Sequence, residues 1–258
     1  MKNIFVAWLV LTTTNIAFAQ SVVESNLLTW DEGAIVRGDT SEKKLSFVFT
    51  GDEYAEGLKK ITNILKRENI LASFFFTGRL YRNDKIKQSI IHLRSNGHYL
   101  GPHSDMHLLY NDWKRRDSTL VSKDSLIKDL KSNYNSMLSI GINERNLFFI
   151  PPYEWWNKEV ADWLGEMNVR LINFTPGTGT NADYTFPEMG KSYKSSDVLS
   201  EKLFQYEELH SLNGAIILIH IGTDPRRKDK FYDRLPELIH YLKNKGYEFL
   251  RVDELLKK

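Results

Sequence analysis

From Leu45 onward, short apolar and aromatic bursts alternate with amphipathic stretches, and this alternation limits the folds open to the chain. The bursts cover residues 45–50 (LSFVFT), 70–76 (ILASFFF), 98–101, 147–150 (LFFI), 169–174 (VRLINF), 215–220 (AIILIH) and 247–252 (YEFLRV). Each is short for a helix and rich in side chains that pack well on a pleated surface. Between them, Leu58, Ile61, Ile64 and Leu65, and later Leu126, Leu130, Tyr134, Met137 and Leu138, recur at helical spacing and mark single buried faces. Strand and helix in repeated succession predict a parallel sheet with helical crossovers. Seven such repeats in one unit predict an α/β fold closed, or nearly closed, into a single-domain barrel.

The N-terminus, MKNIFVAWLVLTTTNIAFAQ, carries one lysine, a short apolar run and Ala17-Phe18-Ala19. This is the layout of a secretory signal over residues 1–19, cut after Ala19, with an uncleaved anchor as the alternative. Residues 20–44 then form a lead-in and 45–258 the barrel. Export makes the protein periplasmic or secreted. The chain has no cysteine, so disulfides are excluded and one large core must stabilise it. A net charge of +2 does not suggest nucleic acid, and no later apolar run supports stable membrane insertion after processing.

In βα barrels the active site forms on the loops after the strands' C-terminal ends. Asp52 and Glu53 follow the first burst, and His103 and His107 of HSDMH the third. PPYEWW follows the fourth, a loop containing Asp183 the fifth, and His220 ends the sixth. Two histidines at i and i+4 of a helical turn lie on one face and can share a metal ion, although a catalytic zinc usually takes three protein ligands. Each residue also has a plainer reading: Asp52 and Glu53 as helix caps, His220 as a core histidine, Asp183 in an Asx-turn, and Trp155 and Trp156 as core packing. Beside a polar rim, those two tryptophans suit the apolar faces of sugar rings. His92, His98, His210 and His240 have no convergent partners and are read as structural. GTGT at 177–180 lacks the lysine of a phosphate-binding loop.

The order of motifs resembles the polysaccharide deacetylase family, carbohydrate esterases built on a distorted seven-stranded (β/α)7 barrel with a divalent metal. HSDMH fits its H-[ST]-x-x-H metal motif, ILASFFFTG the strand after its first helix, PPY part of R-x-P-Y, LIH the late L-x-H motif, and residues 235–256 its C-terminal helix, strand and helix. The departures are specific. Where the family reads T-F-D-D-G, this chain reads VFTGDE, so Thr50 and Gly51 stand in place of the two carboxylates; the arginine of the third motif is absent; and only Asp183-Tyr184 can answer the late acidic motif.

The resemblance implies hydrolysis of N- or O-acetyl groups on an acetylated poly- or oligosaccharide. It implies Asp52, His103 and His107 as ligands of a divalent metal, zinc first, with Glu53 the nearest base, His220 the acid and the backbone N–H of Tyr153 facing the oxyanion. Glu154, Trp155, Trp156 and Asp183 complete the substrate-binding candidates. Two alternatives stay open: a catalytically weak carbohydrate-binding protein on the same barrel, and a glycoside hydrolase drawing a carboxylate pair from Asp52, Glu53 and Glu154.

Overall fold

A computed structural model of the protein describes residues 27–142 and 148–257; the expected signal peptide over 1–19 and Leu147 of the fourth burst lie outside them. The strands are β1 (Thr29–Asp31), β2 (Ala34–Arg37), β3 (Lys44–Gly51), β4 (Ser73–Phe76), β5 (Tyr99–Pro102), β6 (Phe148–Phe149), β7 (Arg170–Leu171), β8 (Ile216–His220) and β9 (Glu248–Phe249). The helices used below are α1 (Leu58–Glu68), α2 (Gly78–Tyr81), α3 (Lys87–Ser95), α4 (Lys123–Ser139), α5 (Lys158–Glu166), α6 (Ser196–His210) and α7 (Leu235–Asn244). Strands β5-β4-β3-β8 form one parallel sheet.

The wall continues through β2, which meets β7 and β8 by the single bridges Ile35–Ile172 and Arg37–Ala215, and then through the parallel pair β7-β6. Between β6 and β5 the link is Phe148 N–H donating to Tyr99 Oη at 3.4 Å. Seven strands thus surround the core as a distorted βα barrel whose ladder is not continuous. Its seventh stave is β2, from the stretch read as a lead-in, because the seventh burst supplies β9, which pairs only with Lys44 and Leu45 of β3. The Thr29–Arg37 hairpin is too short to show a repeating pattern, so the alternation did not reveal it.

Successive residues of a strand face opposite sides, and the two sides of this wall bury different clusters. Leu45, Phe47 and Phe49 of β3, Phe74 and Phe76 of β4, and Ile217 and Ile219 of β8 face outward onto α1, α3 and α7. Val48, Phe75, Tyr99, Ile172, Ile216 and Leu218 fill the interior. Each fully buried aromatic or aliphatic side chain contributes about 1.5–3 kcal/mol by leaving water. The alternation also sets the site: Thr50 and His220 are register partners at the strands' C-terminal ends, on the face of Val48 and Leu218.

Candidate active site

A cavity of about 480 Å³ opens at this end, lined among others by Asp52, His103, His107, Tyr153, Glu154 and His220. The HSDMH segment is a loop after β5, not the helical turn its spacing suggests, with Ser104 and His107 at φ 68° and 57°. It holds that strained shape because α4 clamps it. Asp129 accepts the N–H groups of Asp105 and Met106 at 2.8 and 3.0 Å, and Asn133 accepts that of His103 at 3.0 Å. The two imidazoles end with ring centroids 5.1 Å apart.

His103 Nδ1 faces the carbonyl of Ile150 at 2.9 Å, which fixes the tautomer and leaves Nε2 free for a ligand. Burial pushes His103 down to about 3 and His107 down to about 4, so both are neutral imidazoles at ordinary pH, the form a metal binds. Asp52 Oδ2 lies 4.0 Å from His107 Nδ1. At Gly51 an added Cβ would meet Ile221 Cδ1 at 2.7 Å and Leu80 Cδ2 at 2.9 Å. A side chain there would have to displace Ile221 and Leu80, and in this chain Asp52 is the first position of the loop that carries a carboxylate toward the histidines.

That carboxylate already has a partner. Arg79, in the short α2 after β4, grips both oxygens of Asp52 through Nε and Nη2. Burial alone raises the Asp52 carboxyl; the Arg79 fork and the nearby His107 outweigh it and hold the group below its usual range. Among the described residues no three His, Asp or Glu groups close around one point as a metal site. A carboxylate and two neutral imidazoles are donor chemistry that fits a divalent ion, although Asp52 is held by Arg79. Glu53, the expected base, is 58% exposed and lies 3.5 Å from Arg79 Nη1.

On the opposite side, His220 Nδ1–H donates to Asp183 Oδ1 at 2.5 Å, while Asp183 Oδ2 accepts the His220 backbone N–H at 3.0 Å. Burial would lower the imidazole, but the charge and hydrogen bond of the buried Asp183 prevail and push it up to about 9. His220 is therefore a protonated imidazolium at neutral pH. Its Nε2 points to Glu154 Oε1, 3.9 Å away. Tyr153 is half exposed, with its ring 4.4 Å from that of His107, and among the described residues no acceptor takes its backbone N–H.

The tryptophans divide. Trp156 is buried in the cluster around α5 and donates its Nε1–H to Glu32 O, so core packing removes it from any sugar. Trp155 donates to Asp112 O and stacks on Trp113 at 6.1 Å without lining the cavity. Trp113, 56% exposed, is the tryptophan in the cavity wall. The sequence offered no periodic reason to single it out. Arg79, Asp129 and Asn133 were missed likewise, because their roles depend on contacts 23 or more positions away.

A distorted βα barrel with two neutral imidazoles, an ion-paired carboxylate and an Asp–His pair at its strand ends defines a particular class of protein. The chain belongs to the polysaccharide deacetylase family, whose model matches residues 27–172. An uncharacterised 30.6 kDa protein of Geobacillus stearothermophilus is 26% identical over 235 residues, covering 88% of this chain and 78% of its own length. The peptidoglycan-N-acetylglucosamine deacetylase PgdA of Listeria monocytogenes is 24% identical over 217 residues, which are 83% of this chain and 39% of PgdA. The crystal structure of BA3943, a pseudoenzyme of carbohydrate esterase family 4 from Bacillus anthracis, has the same fold. It matches with a TM-score of 0.68 at 21% identity, covering 88% of this chain and 70% of that one.

Proposed function

We propose that the protein is an exported, metal-dependent deacetylase that removes N- or O-acetyl groups from a glycan, with peptidoglycan-type amino sugars as the first candidates. The observation that carries this reading is the convergence of Asp52, His103, His107 and the His220–Asp183 pair on one cavity. A divalent ion bound by Asp52, His103 and His107 would polarise the acetyl carbonyl and acidify a water. His220 then gives its Nε2 proton to the departing sugar nitrogen or oxygen, and Asp183 keeps the ring in the required tautomer. The free N–H of Tyr153 is available to the oxyanion. No described helix is long and apolar enough to cross a membrane. The test is acetate release by the purified protein across a panel of acetylated glycans, with and without chelator.

The binding-protein alternative has one observation in its favour: Thr50, buried and with its hydroxyl unpaired among the described residues, replaces a family carboxylate. Zero turnover across the panel with retained glycan affinity would establish it. The glycosidase alternative is weakened, because Asp52 and Glu53 both face Arg79 and neither is a free carboxylate.

Two expected results follow from the geometry. Arg79→Ala frees Asp52, so Zn²⁺ or Co²⁺ should bind roughly three- to tenfold more tightly by calorimetry, the scale of a partly buried bidentate pair. Unchanged affinity would remove Asp52 from the ligand set. Trp113→Ala should raise KM about tenfold with little change in kcat, since an exposed ring in the cavity wall binds substrate without touching the reacting atoms. A fall in kcat alone would place Trp113 outside the sugar site.

A further inference from the structure

We infer that Glu154 is the general base, taking the proton of the attacking water while His220 supplies one to the leaving group; this rests on the deacetylase reading above. The reaction needs a base, and the usual position lacks one, since Thr50 has no acid–base group and Gly51 has no side chain. The other carboxylates lining the cavity are engaged: Asp52 and Glu53 by Arg79, and Asp224 by Arg226. Asp183, behind His220, is engaged by that ring.

Glu154 differs from all of these. Its carboxylate is 6% exposed, and among the described residues no donor lies within hydrogen-bond distance of it. A buried carboxylate with no hydrogen-bond donor, its charged neighbour His220 standing 3.9 Å away, is costly. The backbone that places it is costly too, because Tyr153 and Glu154 are both left-handed, at φ 60° and 52°. Asn173, itself buried, pins this turn by donating Nδ2–H to the Glu154 carbonyl at 2.8 Å. The effect of both expenses is to aim one carboxylate at the cavity, opposite His220 Nε2.

The 3.9 Å separation is too long for a direct hydrogen bond, and both residues line the cavity, so each is open to a group bound there. Burial pushes the Glu154 carboxyl up to about 7, against the opposing field of His220, which suits a proton acceptor near neutral pH. The step balances as hydrolysis. The water oxygen bonds to the acetyl carbon and its proton goes to Glu154; the bond from that carbon to the sugar nitrogen or oxygen breaks, its electron pair stays with the leaving atom, and His220 protonates that atom. The acetyl group leaves as acetic acid, keeping the second water proton until it ionises in solvent, and the proton on Glu154 returns to His220 to restore the starting state.

Glu154→Gln keeps shape and volume and removes the base. Acetate release should fall about 10²–10⁴-fold in kcat, with unchanged metal content and unchanged calorimetric affinity for the glycan. Glu154→Asp, which retains a carboxylate, should fall less. A parent-like rate in Glu154→Gln, together with a large loss in Glu53→Gln, would overturn the inference and make Glu53 the base. Equal losses in the Gln and Asp variants with weakened glycan binding would overturn it in favour of a substrate contact. A parent protein that releases no acetate from any glycan would instead sink the deacetylase reading, and the base assignment with it.

Discussion

His220→Asn is expected to slow acetate release about 10²–10⁴-fold while leaving glycan affinity and metal content near parent values, because an acid acts mainly in the transition state. Asparagine is the informative replacement. Its amide N–H can still donate to Asp183 from near the position of Nδ1, so the buried carboxylate keeps a partner, but it has no transferable proton for the leaving atom. His220→Ala would confound two effects, since it strips Asp183, which is 1% exposed, of its charged partner. Breaking a buried pair in that way costs about 3–5 kcal/mol. A parent-like rate in the folded asparagine variant would show that the imidazole is structural. Loss of metal from the same variant would place His220 among the ligands.

Much of the frame was legible in sequence because burial on both sides of a parallel sheet leaves a strong imprint. LSFVFT and AIILIH send alternate residues to the outer and inner clusters, and their order fixed the rim that carries the site. The C-terminal strand ends mattered most: Asp52 and His103, each the first residue past its strand, and His220, the last residue of β8, were found because a barrel places such residues on one face. His98, read as structural, is buried and accepts the Ala72 N–H at 3.1 Å. What sequence withheld were relations between distant segments. Nothing local to Arg79 tells that it grips Asp52, and nothing in YEWWN tells that Trp156 turns inward while Glu154 turns toward His220. The left-handed pair at Tyr153 and Glu154 has no sequence signature, since neither is glycine or asparagine.

Asp183→Asn should show the second large effect, and its dependence on pH separates an electrostatic role from a packing one. His220 is pushed up to about 9, above the ordinary histidine value near 6.5 that the unfolded chain would have. The stability contributed by the pair is therefore fully present below about pH 6.5 and is lost as pH rises through about 9. The parent should exceed Asp183→Asn by about 3 kcal/mol or more at pH 6, as for the loss of one partner of a buried pair, and the gap should narrow toward pH 9. Because both proteins keep His103, His107, Asp52 and Glu154, the difference between their denaturation curves isolates the Asp183–His220 interaction. Activity should follow the same coupling. The parent loses its acid only on the alkaline side, whereas the variant, lacking the charge that holds the proton, should lose rate at lower pH. A stability gap that stays constant from pH 6 to pH 9, with an unmoved alkaline limb, would reduce Asp183 to a packing residue and leave Glu154 as the carboxylate that keeps His220 charged.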